Sequence, residues 1–78
     1  MSILTINKSF IALELKFIND SMIVSMEDGR QISVPLEWFP KLRDASIDQL
    51  KNYRLIGGGE GIHWESLDED LLVENLFI

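Results

Sequence analysis

His63, Glu65, Asp68 and Asp70 fall within one short stretch and form the densest group of potential ligands and proton carriers in the chain. Such residues serve two chemistries: a divalent metal held by imidazole and carboxylate, or acid–base catalysis by a histidine beside an acid. For a metal, the spacing His-x-Glu-x-x-Asp-x-Asp matches no zinc signature and a second histidine is missing. The glycine that a calcium loop needs after its first acids is also absent. No metal and no other cofactor is expected. For catalysis, no motif places a nucleophile: Ser66 lies in no Gly-x-Ser-x-Gly context, and the chain has no cysteine. A small domain also has little room for a substrate-enclosing pocket, so no catalytic residue is expected. His63 and Glu65 would share a face on one strand, which keeps a small metal-binding or hydrolase domain centred on them as an alternative.

The run Gly57-Gly58-Gly59-Glu60-Gly61 suggests a phosphate loop at first sight. No lysine or Ser/Thr follows Gly61, and Glu60 in its middle would repel an anion. The expectation is a flexible hairpin loop.

Charge is segregated along the chain. Seven acids and seven bases cancel between Met1 and Gly59, whereas Glu60, Glu65, Asp68, Glu69, Asp70 and Glu74 follow with no base at all, giving the net charge of −6. Phosphate recognition needs clustered Lys or Arg, so direct nucleic-acid binding is not expected. An acidic end serves either as a solvated face or as a surface for a protein partner with a basic surface. Trp38-Phe39 and Trp64 either pack across the small core or stay partly exposed as contact residues. Arg30, Trp38, Trp64, Asp68, Glu69 and Asp70 are the residues expected to form a partner-binding surface.

The elements that must position these residues can be read from hydropathy. Leu13, Leu15 and Phe17 alternate with Glu14 and Lys16, and Met22, Val24 and Met26 repeat the period of two, as half-buried strands do. Ile32 and Val34 resume the pattern after a turn. A two-residue Asp28-Gly29 loop would put the apolar sets of the flanking strands on opposite faces. A three-residue loop of Glu27, Asp28 and Gly29 pairs Met26 with Arg30, Val24 with Ile32 and Met22 with Val34, and it puts Gly29 at the left-handed position. The turn from Ile18 to Ser21 likewise sets Phe17 opposite Met22. A three-stranded antiparallel meander is expected from Ala12 to Val34.

Pro35 and Pro40 bracket a short helical turn, with a helix near Pro40 to Ala45. Ser46 with Gln49 forms a capping box ahead of a helix carrying Ile47, Leu50 and Tyr53. Arg54 to Ile56 and Ile62 to Trp64 read as a short hairpin around the glycine loop. Asp68 is expected to cap a closing turn or helix bearing Leu71, Leu72, Leu76 and Phe77, and Ile3 to Ile6 to add an N-terminal strand. The whole is one small α+β domain spanning residues 1–78, with helices on one face of an antiparallel sheet. No apolar run is long enough to span a bilayer, and no signal peptide opens the chain, so a cytoplasmic protein without membrane contact is expected.

The segments Asp28-Gly29-Arg30, Val34-Pro35-Leu36, Trp38-Phe39-Pro40-Lys41-Leu42, Gly59-Glu60-Gly61-Ile62-His63-Trp64 and Leu67-Asp68-Glu69-Asp70-Leu71 together resemble a bacterial family, domain-of-unknown-function family 2442. Two departures are Glu65, where the family usually has proline, and Asn75, where glycine is common. The resemblance implies a small α+β domain, bacterial or carried by phages or plasmids. Its members are often encoded beside a second small protein, as in a toxin–antitoxin pair, and it offers no catalytic residue to carry over. The expected function is a non-enzymatic protein-interaction module, the antitoxin-like half of such a pair. A further alternative is a phage-type acidic inhibitor of a nucleic-acid-binding defence complex.

Overall fold

Strand alternation and turn chemistry shape the first half of the chain. The computed structural model describes residues 10–77, so the strand expected at Ile3 to Ile6 lies outside the described residues. Strands β1 (Ala12–Ile18), β2 (Ser21–Met26) and β3 (Gln31–Pro35) form an antiparallel sheet in the order β1-β2-β3. The register is the expected one: Phe17 faces Met22, Met22 faces Val34, and Val24 faces Ile32. Between β1 and β2, Asn19 and Asp20 have φ of 48° and 64°. Two left-handed residues in a two-residue loop match the twist of the strands, and Asn and Asp tolerate that conformation best among non-glycine residues. Between β2 and β3, Gly29 closes the three-residue loop at φ 94°, and the Met26 amide reaches the Arg30 carbonyl at 2.8 Å.

The alternation of β1 is interrupted. Ala12 faces Met26 while Glu14 faces Ser25, so Leu13 is the extra residue of a β-bulge. The bulge turns Ala12 and Leu15 inward and leaves Leu13 59% exposed. The expectation that Leu13, Leu15 and Phe17 share one buried face is corrected there.

Leu36–Trp38 forms a 3₁₀ turn, followed by α1 (Pro40–Arg43) and α2 (Ile47–Lys51). Pro40 occupies the first turn of α1, where its missing N–H costs nothing. Both halves of the capping box are present: the Gln49 amide donates to the Ser46 hydroxyl at 3.2 Å, and the Ser46 amide donates to the Gln49 side chain at 3.0 Å. Helix α2 stops before Tyr53, whose hydroxyl instead accepts from the Leu15 amide at 3.0 Å.

The expected short hairpin is a second three-stranded sheet. Strands β4 (Arg54–Ile56), β5 (Gly61–Trp64) and β6 (Glu69–Leu72) pair antiparallel in the order β4-β5-β6. The closing helix is corrected accordingly: Leu71 and Leu72 belong to a strand, and only Val73–Leu76 turns, as 3₁₀. Asp68 does not cap a closing helix either; it is the C-cap of the 3₁₀ turn Glu65–Leu67. It stands in the left-handed region (φ 50°) at the tip between β5 and β6. The glycine loop is anchored rather than loose. Gly59 is buried, and a Cβ there would lie 2.5 Å from the Ala12 carbonyl oxygen. The Val73 amide donates to the Glu60 carbonyl at 2.9 Å. One buried cluster joins both sheets and both helices: Met22, Val24 and Val34 from the first sheet, Leu42 and Leu50 from the helices, and Ile62 and Trp64 from the second.

Candidate functional site

Strand β5 alternates Gly61-Ile62-His63-Trp64, and the second sheet sorts its residues by this period. Ile62 and Trp64 point inward and are fully buried. The Trp64 indole N–H donates to the Leu50 carbonyl at 2.9 Å, satisfying one of the terminal carbonyls of α2. Trp64 is therefore a core residue, and its place in the expected partner surface is corrected. The outward face carries two rows. Ile56, Gly61 and Leu72 lie abreast in one row, and Arg54, His63 and Asp70 in the next.

His63 sits between two carboxylates. Its Nε2 donates to Glu65 at 2.7 Å, and its Nδ1 donates to Asp70. Ionised carboxylates only accept, so this geometry is satisfied when both ring nitrogens carry protons, as in the imidazolium form. The hydrogen bond to Asp70, then that to Glu65, raises the His63 pKa above its ordinary 6.5. In turn the His63 hydrogen bond and charge, with Arg54 behind them (3.8 Å from Glu65), lower the Glu65 pKa. In this arrangement neither nitrogen is open to a metal or to a proton taken from a substrate. Among the described residues no group of three or more His, Cys, Asp or Glu is arranged to hold a metal ion.

The pH dependence follows from these directions. A histidine pKa raised by folding stabilises fully below its unfolded value of 6.5, and this contribution is lost as pH rises through the folded value. A carboxylate pKa lowered by folding stabilises above its unfolded value of 4.5, and this is lost as pH falls through the folded value. The cluster should therefore contribute most between those two unfolded values. The melting-temperature gap between the native chain and His63→Gln should widen as pH drops from 8.5 to 6. A proton NMR titration should place His63 above 6.5; a value at or below it would show that the ring is not held as a cation.

The other expected surface residues are dispersed. Arg30 lies at the end of the first sheet, 2.9 Å from Asp28, with its guanidinium carbon 4.6 Å from the ring centre of Phe77 and 5.8 Å from that of Phe10. It fastens the two ends of the described chain, whose aromatic rings meet edge to face at 5.2 Å. Trp38 is 51% exposed on the turn before α1. Lys41 of α1 donates to the Asp68 carbonyl at 3.0 Å, tying that helix to the acidic tip. Glu69 and Asp70 are neighbours in sequence but oppose Trp64 and His63 respectively, so they point to opposite faces of β6. The six residues do not make one patch.

Arg43 too is turned toward acids. Arg43 reaches Asp44 at 3.0 Å and Glu37 at 3.4 Å, which raises its own pKa and lowers that of Asp44. All three arginines of the chain thus lie in ion pairs with its own carboxylates. Sequence reasoning missed a different group: Phe10, Ile11, Glu60, Leu72 and Glu74, which line a cleft of about 380 Å³. Reading β6 as a strand would have put Leu72 outward, beside Gly61. The approach of Phe10 to it is a long-range contact with no local signal.

Among the described residues no helix is long and apolar enough to cross a membrane. No curated protein matches the sequence. A protein of unknown function from Rhodospirillum rubrum, solved by crystallography at 2.75 Å, is similar at 33% identity. The likeness covers 86% of this chain and 83% of that one, with a TM-score of 0.75, so the two share the α+β arrangement. The family model described as "Protein of unknown function (DUF2442)" matches residues 12–77. On that match, which takes in both sheets and both helices, the chain belongs to the DUF2442 family.

Proposed function

We propose that the protein is a non-enzymatic interaction module whose acidic end receives a basic partner protein, in the manner of the antitoxin-like half of a pair. The observation that carries this reading is the meeting of exposed apolar side chains with unpaired carboxylates. Phe10 and Leu72 are exposed beside Glu60 and Glu74, and neither glutamate forms an ion pair among the described residues. An exposed apolar patch rimmed by polar groups is the usual mark of a protein contact. The chain's own arginines are engaged with its own acids, which supports the absence of a phosphate-binding stripe. The engagement of both His63 nitrogens weighs against the metal-binding or hydrolase alternative, which needs one of them.

The test pairs the chain with the protein encoded beside it. The two should co-purify, and the association rate should fall tenfold or more between 50 and 500 mM salt, because acidic and basic surfaces steer their encounter. Duplex and single-stranded DNA should leave the isolated chain unbound at micromolar concentration and low salt. Binding of either at that concentration would overturn the reading.

A further inference from the structure

Glu60 and Glu74 are held together by the backbone beneath them. The Val73 amide bonds the Glu60 carbonyl at 2.9 Å, so the loop bearing one carboxylate is fixed against the segment bearing the other. Phe10, Ile11 and Leu72 line the cleft of about 380 Å³ together with these two glutamates. Few side chains suit an apolar floor with a doubly acidic rim. A wholly apolar side chain would desolvate the carboxylates and leave them unpaired, and an acidic one would be repelled. A long cationic side chain satisfies both parts, laying its aliphatic stem on Leu72 and Ile11 and its charge between the glutamates. Arginine suits the site better than lysine, because a planar guanidinium pairs with carboxylates in a fork and stacks on aromatic rings. The fold already contains such a contact, since Arg30 approaches this same Phe10 and its neighbour Phe77.

We infer that this cleft is the seat for an arginine side chain presented by a partner protein. The inference rests on the reading of the acidic end as a partner surface, and it names where and how that partner is gripped. The probe is the blocked peptide acetyl-Leu-Arg-Leu-amide, titrated into the full ¹⁵N-labelled chain and followed by amide NMR, with acetyl-Leu-Glu-Leu-amide as the control. Saturable shifts are expected at Ile11, Glu60, Leu72 and Glu74 with the arginine peptide alone. Affinity should fall at least fivefold in Glu60→Gln/Glu74→Gln, whose distant amide signals report an intact fold. The tip variant Asp68→Asn/Glu69→Gln should bind as the native chain does. Shifts gathered at Asp68 to Asp70 and abolished by the tip variant would overturn the assignment while leaving the basic-partner reading standing. So would a complete absence of saturable shifts, provided that the neighbouring protein still co-purifies. Contacts from residues 2–9 into the cleft in the free chain would give it to the protein's own N-terminal segment. Cleft signals that move with protein concentration would give it to a second copy. Either result overturns the proposal.

Discussion

Replacing Trp64 by alanine should remove a large share of the protein's folding stability. Truncating a buried tryptophan costs about 3–5 kcal/mol, because transfer energy and an uncollapsed cavity add. A chain of this length has a total stability of roughly 4–12 kcal/mol at the usual value per residue. Trp64 is the largest fully buried side chain and belongs to the cluster where both sheets and both helices meet. Its loss therefore removes contacts from every layer. The milder Trp64→Phe separates packing from the hydrogen bond. It keeps most of the apolar bulk but leaves the Leu50 carbonyl without its indole donor, at about 1–3 kcal/mol for an unsatisfied buried acceptor. Urea titrations followed by far-UV circular dichroism measure both. A cost below 1 kcal/mol for Trp64→Ala, on the scale of an ordinary surface change, would contradict the core placement.

A comparably large effect is expected from one added methyl group. Gly59→Ala should destabilise by about 2–5 kcal/mol through two causes acting together. The residue stands at φ 112°, a conformation that L side chains rarely adopt, and the new Cβ would press to 2.5 Å from the Ala12 carbonyl oxygen. Backbone cannot yield there as the end of a long side chain could. Gly29→Ala provides the control, because Gly29 also has a positive φ (94°) but open space around its Cβ position. It should cost only about 1 kcal/mol, the conformational part alone. Equal losses at the two positions in denaturant titrations would mean that the Gly59–Ala12 approach carries no weight.

The meander was legible because three signals agreed: period-two hydropathy in β2, the same period in β3, and a turn that only Gly29 could close in register. The capping box at Ser46 was legible for a similar reason, being a short-range pattern with a single geometry. Strand β6 was not. Glu69-Asp70-Leu71-Leu72 puts one acid and one leucine on each face, so its hydropathy shows no alternation, and acids are poor strand formers. Strand β5 did contain the answer for Trp64: once His63 and Glu65 share the outward face, Ile62 and Trp64 must share the inward one. The bulge at Leu13 left no mark in the sequence, since Leu13, Leu15 and Phe17 alternate regularly. The cleft was illegible for another reason. It is assembled from Phe10, Glu60 and Leu72, and contacts of such separation leave no trace in local composition.

The anchoring of the second sheet on the first also sets an order of events in folding. Each sheet is built from strands consecutive in the chain, so its pairing is local. The contacts that tie the first sheet to the second half of the chain are not: the Leu15 amide and the Tyr53 hydroxyl stand 38 residues apart, and Ala12 and Gly59, which approach closely, lie farther still. Closing long loops is entropically costly until the contacts they bring together are made, so docking of the sheets is expected after the rate-limiting barrier. Tyr53→Phe should then accelerate unfolding while barely changing the refolding rate, whereas Asn19→Ala in the β1–β2 turn should slow refolding. Stopped-flow chevrons would show the two substitutions moving opposite limbs. Resistance of this protein to transient opening would accordingly reside in the contacts between its sheets, not in the hairpins that form first.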